Sequence, residues 1–429
     1  MVLKMRKMKD SGIEWIGEIP EGWEVLAHKY IMHKEKSICE HYSGEDVISL
    51  TLNGVVKRDL ENPSGKMPTT FDGYQFVDPN DLLLCLFDID VTPRCVGLVK
   101  DYGVTSPAYS RFKIHSGFCN AYYNYLLRFI DDEKVFVHLS KNLRSSLTES
   151  DFGAIKTIVP PKAEQQRIAD YLDNRTFEID TLLSEARSSI EEYKKLKQAV
   201  IMQAVTKGVR GEREMKDSGV EWTGLVPHHW GVAKIGSIGQ TSSGATPLRS
   251  KEASFFDDAT IRWVRTLDLN DGLVYDSSEK ITELALASSA CSIMPKGTVC
   301  VAMYGGAGTI GKCGLLMSDC ATNQAVCSIV CNREIVSPIF LLMQLLALKS
   351  YWMKYAVGTR KDPNISQDVV ARMKILIPPL DEQKEITDYL DAKCAEIDKL
   401  ITKKEQLVKE LESYKKSLIY EVVTGKREV

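Results

Sequence analysis

The sequence lacks an apolar run long enough to cross a membrane. The longest such run, Ile339–Leu348, is interrupted by Gln344, whereas a membrane-spanning helix needs about 20 apolar residues. No apolar segment follows the basic residues near the N-terminus, so a signal peptide is not expected. Eleven cysteines without a secretory signal are typical of reduced thiols. We therefore expect a cytoplasmic protein that does not contact a membrane.

The sequence also lacks a strong excess of either charge, because the formal net charge is only −3 over 429 residues. Two long stretches of the chain, Leu26–Ile155 and Val232–Met373, have little similarity to each other, and their net charges are −3 and +2. The overall basic character that often accompanies nucleic-acid binding is therefore missing. Any DNA-binding face has to be a local patch of charge.

Recognisable catalytic motifs are absent as well. There is no HExxH, and no GxGxxG follows a predicted strand. The residues before the two Pro-Pro pairs are Val159 and Ile377, whereas an amino-methyltransferase motif has Asn or Asp there. We therefore predict that the chain has no catalytic residues and is not an enzyme.

One glycine-rich segment needs separate treatment because residues 306–312, GAGTIGK, fit the GxxxxGK pattern of a phosphate-binding loop. Cys313 stands where that loop has the Ser or Thr that binds magnesium, and Gly314 is a poor start for the helix that should follow. A glycine-rich turn between two strands explains the segment better. An NTPase that uses Gly306–Lys312 stays open as an alternative.

Four cysteines in the same region raise the question of a zinc site. Cys313, Cys320, Cys327 and Cys331 are spaced without any CxxC pair, which structural zinc sites usually contain. Buried thiols on strands explain them better. We predict no metal site in this chain.

What the sequence does contain is a long internal repeat. MKDSGIEWIGEIPEGW at 8–23 returns as MKDSGVEWTGLVPHHW at 215–230, with ten of sixteen positions identical. PPKAEQQRIADYLDNRTFEID at 160–180 returns as PPLDEQKEITDYLDAKCAEID at 378–398, with twelve of twenty-one identical. The chain is therefore a tandem of half one, residues 1–210, and half two, residues 211–429. Such pseudo-two-fold proteins suit duplex DNA as a ligand.

Each half has the pattern of an α/β domain followed by one long helix. Short β-rich runs such as Val47–Leu52 and Thr298–Met303 are divided by turn residues, and one apolar helix is predicted in each half, at Ala121–Ile130 and Pro338–Tyr355. We predict six segments, which are the repeated signature 1–25, domain 26–157, long helix 158–210, signature and linker 211–232, domain 233–375 and long helix 376–429.

The long helices at Glu164–Thr206 and Glu382–Thr424 show seven-residue spacing of apolar residues, which is typical of coiled coils. We predict that the two helices pack antiparallel between the two domains. The residues predicted to form this coiled coil and to contact partner proteins are Leu172, Ile179, Leu182, Tyr193, Leu196, Leu390, Ile397, Leu400, Leu407, Leu411, Tyr414 and Leu418.

Polar loops before the closing strand of each domain are candidates for DNA contact. Arg can bond guanine, Asn can bond adenine, and Lys usually meets phosphate. The candidates are Lys141, Asn142, Arg144, Lys312, Thr359, Arg360 and Lys361. A solvated charged loop is the alternative explanation.

With these motifs in view, the chain resembles the specificity subunits of type I restriction–modification systems. The resemblance rests on GIEWIGEIPEGW, VPPKAEQQRIADYLD and their repeats, on GTIGKCG, and on GTRKDPNIS. It implies two α/β target-recognition domains separated by an antiparallel two-helix coiled coil. Each domain is then expected to read one half of a split, asymmetric DNA site.

The resemblance also implies partners. Double-stranded DNA, two methyltransferase subunits and two restriction subunits with translocase activity are expected. S-adenosylmethionine, ATP and magnesium are then cofactors of those partners. A protein-binding coiled-coil scaffold without DNA recognition remains the alternative, and a shift of a random-sequence DNA pool would distinguish the two.

Overall fold

The computed structural model describes residues 6–52, 54–63, 67–140, 145–305, 308–358 and 363–429. These residues divide into two compact units. Unit 1 contains the described residues up to Arg187 together with Gln406–Val429, and unit 2 is Ser188–Glu405. Each unit thus contains a domain from one half of the sequence and a piece of both long helices.

Unit 1 is built from short strands and three short helices that precede the first long helix. Its strands are β1 (Met8–Asp10), β2 (Glu18–Pro20), β3 (Glu24–Ala27), β4 (Met32–Lys34), β5 (Val47–Thr51), β6 (Gly54–Lys57), β7 (Gln75–Val77), β8 (Leu82–Leu84), β9 (Val96–Leu98), β10 (Gly103–Thr105), β11 (Ser110–Ile114) and β12 (Lys156–Val159). Its helices are α1 (Asn120–Asp132), α2 (Val135–Leu139) and α3 (Glu149–Ala154), followed by the long helix α4 (Lys162–Lys207).

The strands of unit 1 form two four-stranded sheets, in the orders β6-β5-β10-β7 and β4-β11-β8-β9. The closing strand β12 pairs antiparallel with β3, so the chain leaves the domain beside the point where it entered. The first signature, predicted to fold back because of its glycines and proline, does so as the hairpin β1-β2.

Unit 2 follows the same plan with more elements. Its strands are β13 (Met215–Asp217), β14 (Leu225–Pro227), β15 (Gly231–Lys234), β16 (Gly239–Ser243), β17 (Ile261–Val264), β18 (Gly272–Val274), β19 (Lys280–Ile281), β20 (Ile293–Met294), β21 (Val299–Ala302), β22 (Cys313–Leu316), β23 (Cys320–Thr322), β24 (Val326–Cys331), β25 (Val357–Gly358), β26 (Pro363–Asn364) and β27 (Lys374–Ile377). Its helices are α5 (Ile235–Ile238), α6 (Glu252–Phe256), α7 (Glu283–Ala287), α8 (Pro338–Ala347), α9 (Gln367–Arg372) and the long helix α10 (Leu380–Val423).

The main sheets of unit 2 have the orders β16-β24-β21-β22-β18 and β19-β17-β23-β20, and β15 pairs with the closing strand β27. The apolar helix α8 ends at Ala347, and two short 3-10 turns follow it, so the predicted helix through Tyr355 was too long. Gln344, which interrupts its apolar run, is fully buried because its amide bonds both the N–H and the C=O of Leu376. Among the described residues, no helix combines the length and apolar character of a membrane span.

The long helices run antiparallel where they meet inside each unit. In unit 1, Lys415 contacts Asp180 at 2.6 Å and Arg187 contacts Glu412 at 2.6 Å. Residue numbers therefore increase along α4 in the direction in which they decrease along α10. In unit 2, Lys197 contacts Asp398 at 2.7 Å, and Arg210, just after α4, contacts Glu385 at 2.8 Å. The predicted fold class, two α/β domains connected by long antiparallel helices, is confirmed.

Candidate nucleic-acid interface

The first repeated signature connects the two long helices within unit 1. The indole N–H of Trp23 donates to Glu164 at the start of α4 at 3.1 Å, and Arg6 donates to the same carboxylate at 2.5 Å. The other side of the indole packs against the residues that end α10, because a Cβ on Gly425 would lie 2.8 Å from Trp23. The signature therefore holds the beginning of one helix against the end of the other.

The second signature makes the same contacts inside unit 2. Trp230 donates to Glu382 at 2.8 Å, His229 lies 2.9 Å from that carboxylate, and Arg213 also donates to it. Glu382 is fully buried. Burial alone would raise its pKa, but these donors outweigh burial and lower the pKa below its ordinary value. A Cβ on Gly208, just after α4, would lie 3.3 Å from Trp230.

The glutamine of each Pro-Pro-x-x-Glu-Gln motif ties the long helix to its domain. Gln165 accepts the backbone N–H of Cys119, immediately before α1, at 2.8 Å. Gln383 accepts the N–H of Ser337, immediately before α8, at 2.8 Å. The repeated motifs therefore make the same structural contacts in both halves.

The predicted coiled-coil residues divide into two groups. One stripe is packed as expected, since Leu172, Ile179, Leu390, Ile397 and Leu418 are buried and both Tyr193 and Leu411 are half-buried. The other predicted residues are exposed instead, with exposed fractions of 50% for Leu182, 49% for Leu196, 42% for Leu400, 41% for Leu407 and 48% for Tyr414.

The prediction that these five exposed residues pack within the coiled coil is therefore wrong. The true second stripe lies one residue later in both helices, at buried Leu183 and Ile190 and at half-buried Ile401 and Val408. Alternating steps of three and four residues permit either choice from a given first stripe. The adjacent leucines 182 and 183 made the two choices equivalent in the sequence. The exposed residues remain predictions as partner contacts.

The described part of the glycine-rich segment, residues 308–312, is a turn that leads into a strand, as favoured from the sequence. Lys312 is half-buried and leads directly into strand β22, where a phosphate-binding loop would lead into a helix. Gly311 has φ of 76°, and a Cβ there would lie 2.3 Å from Trp352, so the turn is packed on the domain. The NTPase alternative is not supported by this geometry.

The cysteines considered for zinc lie on strands. Cys313, Cys320 and Cys327 are buried, and Cys331 is half-buried. Burial raises the pKa of the Cys327 thiol to about 12 and that of Cys331 to about 11, which favours the thiol over the thiolate that binds metal. Across the ranges that the structure covers, no three metal-ligating side chains come together.

Most candidate DNA-contacting residues, namely Lys141, Asn142, Arg144, Thr359, Arg360 and Lys361, lie outside the described residues. The residues around them are informative. In half two, β25 and β26 pair on either side of residues 359–362, and Tyr304 pairs with Asn364. The N–H of Ile365 donates to Met303 at 2.9 Å. Residues 303–304, which precede the turn that contains Lys312, are therefore adjacent to residues 364–365.

Half one has the corresponding arrangement, although its sequence did not reveal it. The N–H of Leu147 donates to the carbonyl of Leu86 at 2.8 Å, which is the counterpart of the bond from Ile365 to Met303. Phe87–Arg94, between β8 and β9, thus corresponds to the glycine-rich turn. By the same register, Arg144 is three residues before Leu147, where half two has Asp362 rather than Arg360. Only the spacing of apolar strands on both sides of Phe87–Arg94 could have indicated this match.

The fold and the arrangement of these segments define a class of protein. Residues 227–410 match the family model of the type I restriction modification DNA specificity domain. That part of the chain is similar to this domain, and the chain as a whole is similar to type I specificity subunits. The comparison confirms the prediction of a non-catalytic specificity subunit of a type I restriction–modification system.

The particular relatives are distant. The putative type I restriction enzyme MjaX specificity subunit of Methanocaldococcus jannaschii is 24% identical over 314 residues, which are 71% of this chain and 67% of the relative. The MjaVIII specificity subunit of the same organism is 26% identical over 282 residues, 64% of this chain and 63% of the relative. The EcoBI specificity subunit of Escherichia coli is 25% identical over 252 residues, 56% of this chain and 52% of the relative.

Two solved structures share the fold. A chain from work on complex assembly and conformational transition of the type I R-M system has a TM-score of 0.72 at 14% identity, covering 95% of this chain and 99% of that chain. The HsdS subunit from Thermoanaerobacter tengcongensis has a TM-score of 0.50 at 14% identity, covering 95% of this chain and 98% of that one.

Proposed function

We propose that this chain reads a bipartite, asymmetric DNA site, with one half-site recognised by each half of the molecule. The observation that supports this is the repetition of specific contacts in both halves. The family model matches only half two, yet Gln165 and Gln383 make the same bond to the residue before the apolar helix. Two recognition domains of the same plan but different surface sequences are expected to read two different half-sites.

The proposal includes protein partners. Two methyltransferase subunits and two restriction subunits are expected to assemble on the chain, and S-adenosylmethionine, ATP and magnesium are expected to bind those subunits rather than this chain. Support comes from the exposed side chains of Leu182, Leu196, Leu400 and Leu407, because large apolar residues repeated along a helix favour a protein contact. Because this chain has little net charge, partners that supply basic side chains to the DNA phosphates would increase its affinity for DNA.

Mapping of DNA modification in cells tests the proposal. Cells that contain the chain and its cognate methyltransferase are expected to methylate one motif made of two short sequences separated by an unspecified gap. Replacement of residues 26–157 by the matching segment of another specificity subunit should change one half-sequence and leave the other unchanged. Modification that depends on the chain but follows one continuous sequence would contradict a bipartite reading. No sequence-dependent modification would favour the scaffold alternative.

A further inference from the structure

A turn in half one, Phe87–Arg94, is hydrogen-bonded within itself and to the rest of its domain. Both the backbone N–H and the hydroxyl of Thr92 donate to the carbonyl of Asp88, at 2.9 and 2.8 Å. Ile89 is buried, and its N–H donates to the carbonyl of Ser145 at 3.1 Å. This turn, called the half-one turn below, is therefore fixed beside the segment that follows residues 141–144.

The half-one turn presents apolar and acidic groups to solvent. Val91 is 73% exposed and Phe87 is 40% exposed, although both are large apolar side chains. Asp88 and Asp90 are also exposed. The single basic residue of the turn, Arg94, is only 12% exposed and is bound by Asp132 at 2.8 Å, so it is engaged within the domain.

The corresponding turn in half two has the opposite chemistry. Residues 305–312 contain Lys312 and no carboxylate. The residues that precede the two turns occupy the same position, since Leu86 and Met303 receive equivalent backbone bonds from Leu147 and Ile365. The two halves therefore present an anionic, apolar turn and a cationic turn at matching places on one plan.

We propose that the half-one turn reads base edges in a DNA groove, whereas Lys312 of the half-two turn contacts phosphate. This inference rests on the proposed function. Phosphates repel the exposed carboxylates of Asp88 and Asp90, so a favourable contact of this turn with DNA has to be made to the bases. Val91 and Phe87 suit the methyl group of thymine, and Asp90 is an acceptor for the amino group of cytosine.

The test uses the chain in complex with its methyltransferase and compares three variants on a library of half-site sequences. After mapping of the wild-type site, Val91→Ala should lower modification about three- to fourfold at one thymine of one half-site, because one apolar contact is lost. Asp90→Ala should relax selectivity at a neighbouring cytosine by about fivefold or more. Lys312→Ala is the matched control, and it should reduce modification of all sequences in proportion.

Selectivity at the other half-site is an internal control for folding in each variant. Replacement of the affected thymine by uracil removes only the methyl group, so wild type and Val91→Ala should then be modified equally. A uniform gain of affinity in Asp90→Ala would overturn the proposal, because it would mean that the carboxylate only repels phosphate. Unchanged selectivity in both variants, or an affected position without thymine or cytosine, would overturn it as well. Failure of the proposed function is distinct, since the wild type would then show no sequence preference.

Discussion

Trp230 donates its indole N–H to the buried carboxylate of Glu382 at 2.8 Å. The pair from Trp23 to Glu164, at 3.1 Å, is its counterpart in half one. The tryptophan of the signature and the glutamate of the Pro-Pro motif are separated by more than 140 residues, yet they form one contact. The signature and the Pro-Pro motif are the two most similar segments of the repeat, and in each half they contact each other. This contact is called the joint below.

Removal of Glu382 should destabilise unit 2 strongly. Glu382→Ala leaves Arg213 and the indole of Trp230 without their acceptor, and loss of one partner of a buried ion pair costs about 3–5 kcal/mol. Urea unfolding measures the loss. Glu385→Ala, one turn later, is the matched control because its pair with Arg210 is exposed to solvent and should contribute little to stability. Equal effects of the two variants would contradict the role of the joint.

Adjacent leucines on α4 should differ greatly in their contribution to stability. Leu183 is 6% exposed and belongs to the core of unit 1, so Leu183→Ala should cost about 2–5 kcal/mol. Leu182 is 50% exposed, and Leu182→Ala should change the free energy of unfolding by about 0.5 kcal/mol. Thermal unfolding of the two variants measures this difference. A larger loss for Leu182 would show that the sequence-predicted stripe was the packed one after all.

Stability of unit 1 should fall in mild acid because of His28. Burial, only partly offset by the backbone of Phe152, lowers the pKa of His28 to about 4 from an ordinary value of 6.5. Below pH 6.5 the unfolded chain binds a proton more readily than the folded chain. The free energy of unfolding is therefore at its full value above pH 6.5 and declines as the pH falls towards 4. The full loss is about 3 kcal/mol.

His28→Ile tests this pH dependence, since Ile235 occupies the corresponding buried position in half two. Both residues donate their backbone N–H to the residue before the closing strand at 3.0 Å. The stability difference between pH 7.5 and pH 5, measured by urea unfolding, should shrink in the variant. An unchanged difference would place the acid sensitivity elsewhere.

Asn124 of α1 should lower the stability of unit 1, because the matching position in half two is a leucine. The side-chain oxygen of Asn124 is buried without a hydrogen-bond partner among the described groups, whereas Leu342 at the matching position of α8 is buried in an apolar core. Asn124→Leu should stabilise unit 1 by about 1–3 kcal/mol, because an unsatisfied buried oxygen is removed. Leu342→Asn is the reverse variant and should destabilise unit 2. A destabilising Asn124→Leu would show that the amide has a role the fold alone does not explain.

The sequence by itself predicted the tandem halves, the two long helices and the glycine-rich turn. Each of these features follows from a sequence pattern, and packing in the folded protein does not change the prediction. Seven-residue spacing over more than forty residues without glycine or proline allows only a long helix, and Cys313 with Gly314 already argued against a phosphate-binding loop.

The tertiary structure decided the features that depend on what lies opposite a residue. Only packing distinguished Leu183 from Leu182, because both residues are leucine and have the same helical propensity. Only the backbone bond from Leu147 to Leu86 identified the half-one turn, since its sequence shares nothing with the turn that contains Lys312. Side chains that pair across the fold, such as Trp230 with Glu382, are brought together by the whole domain, and no local sequence pattern contains that information.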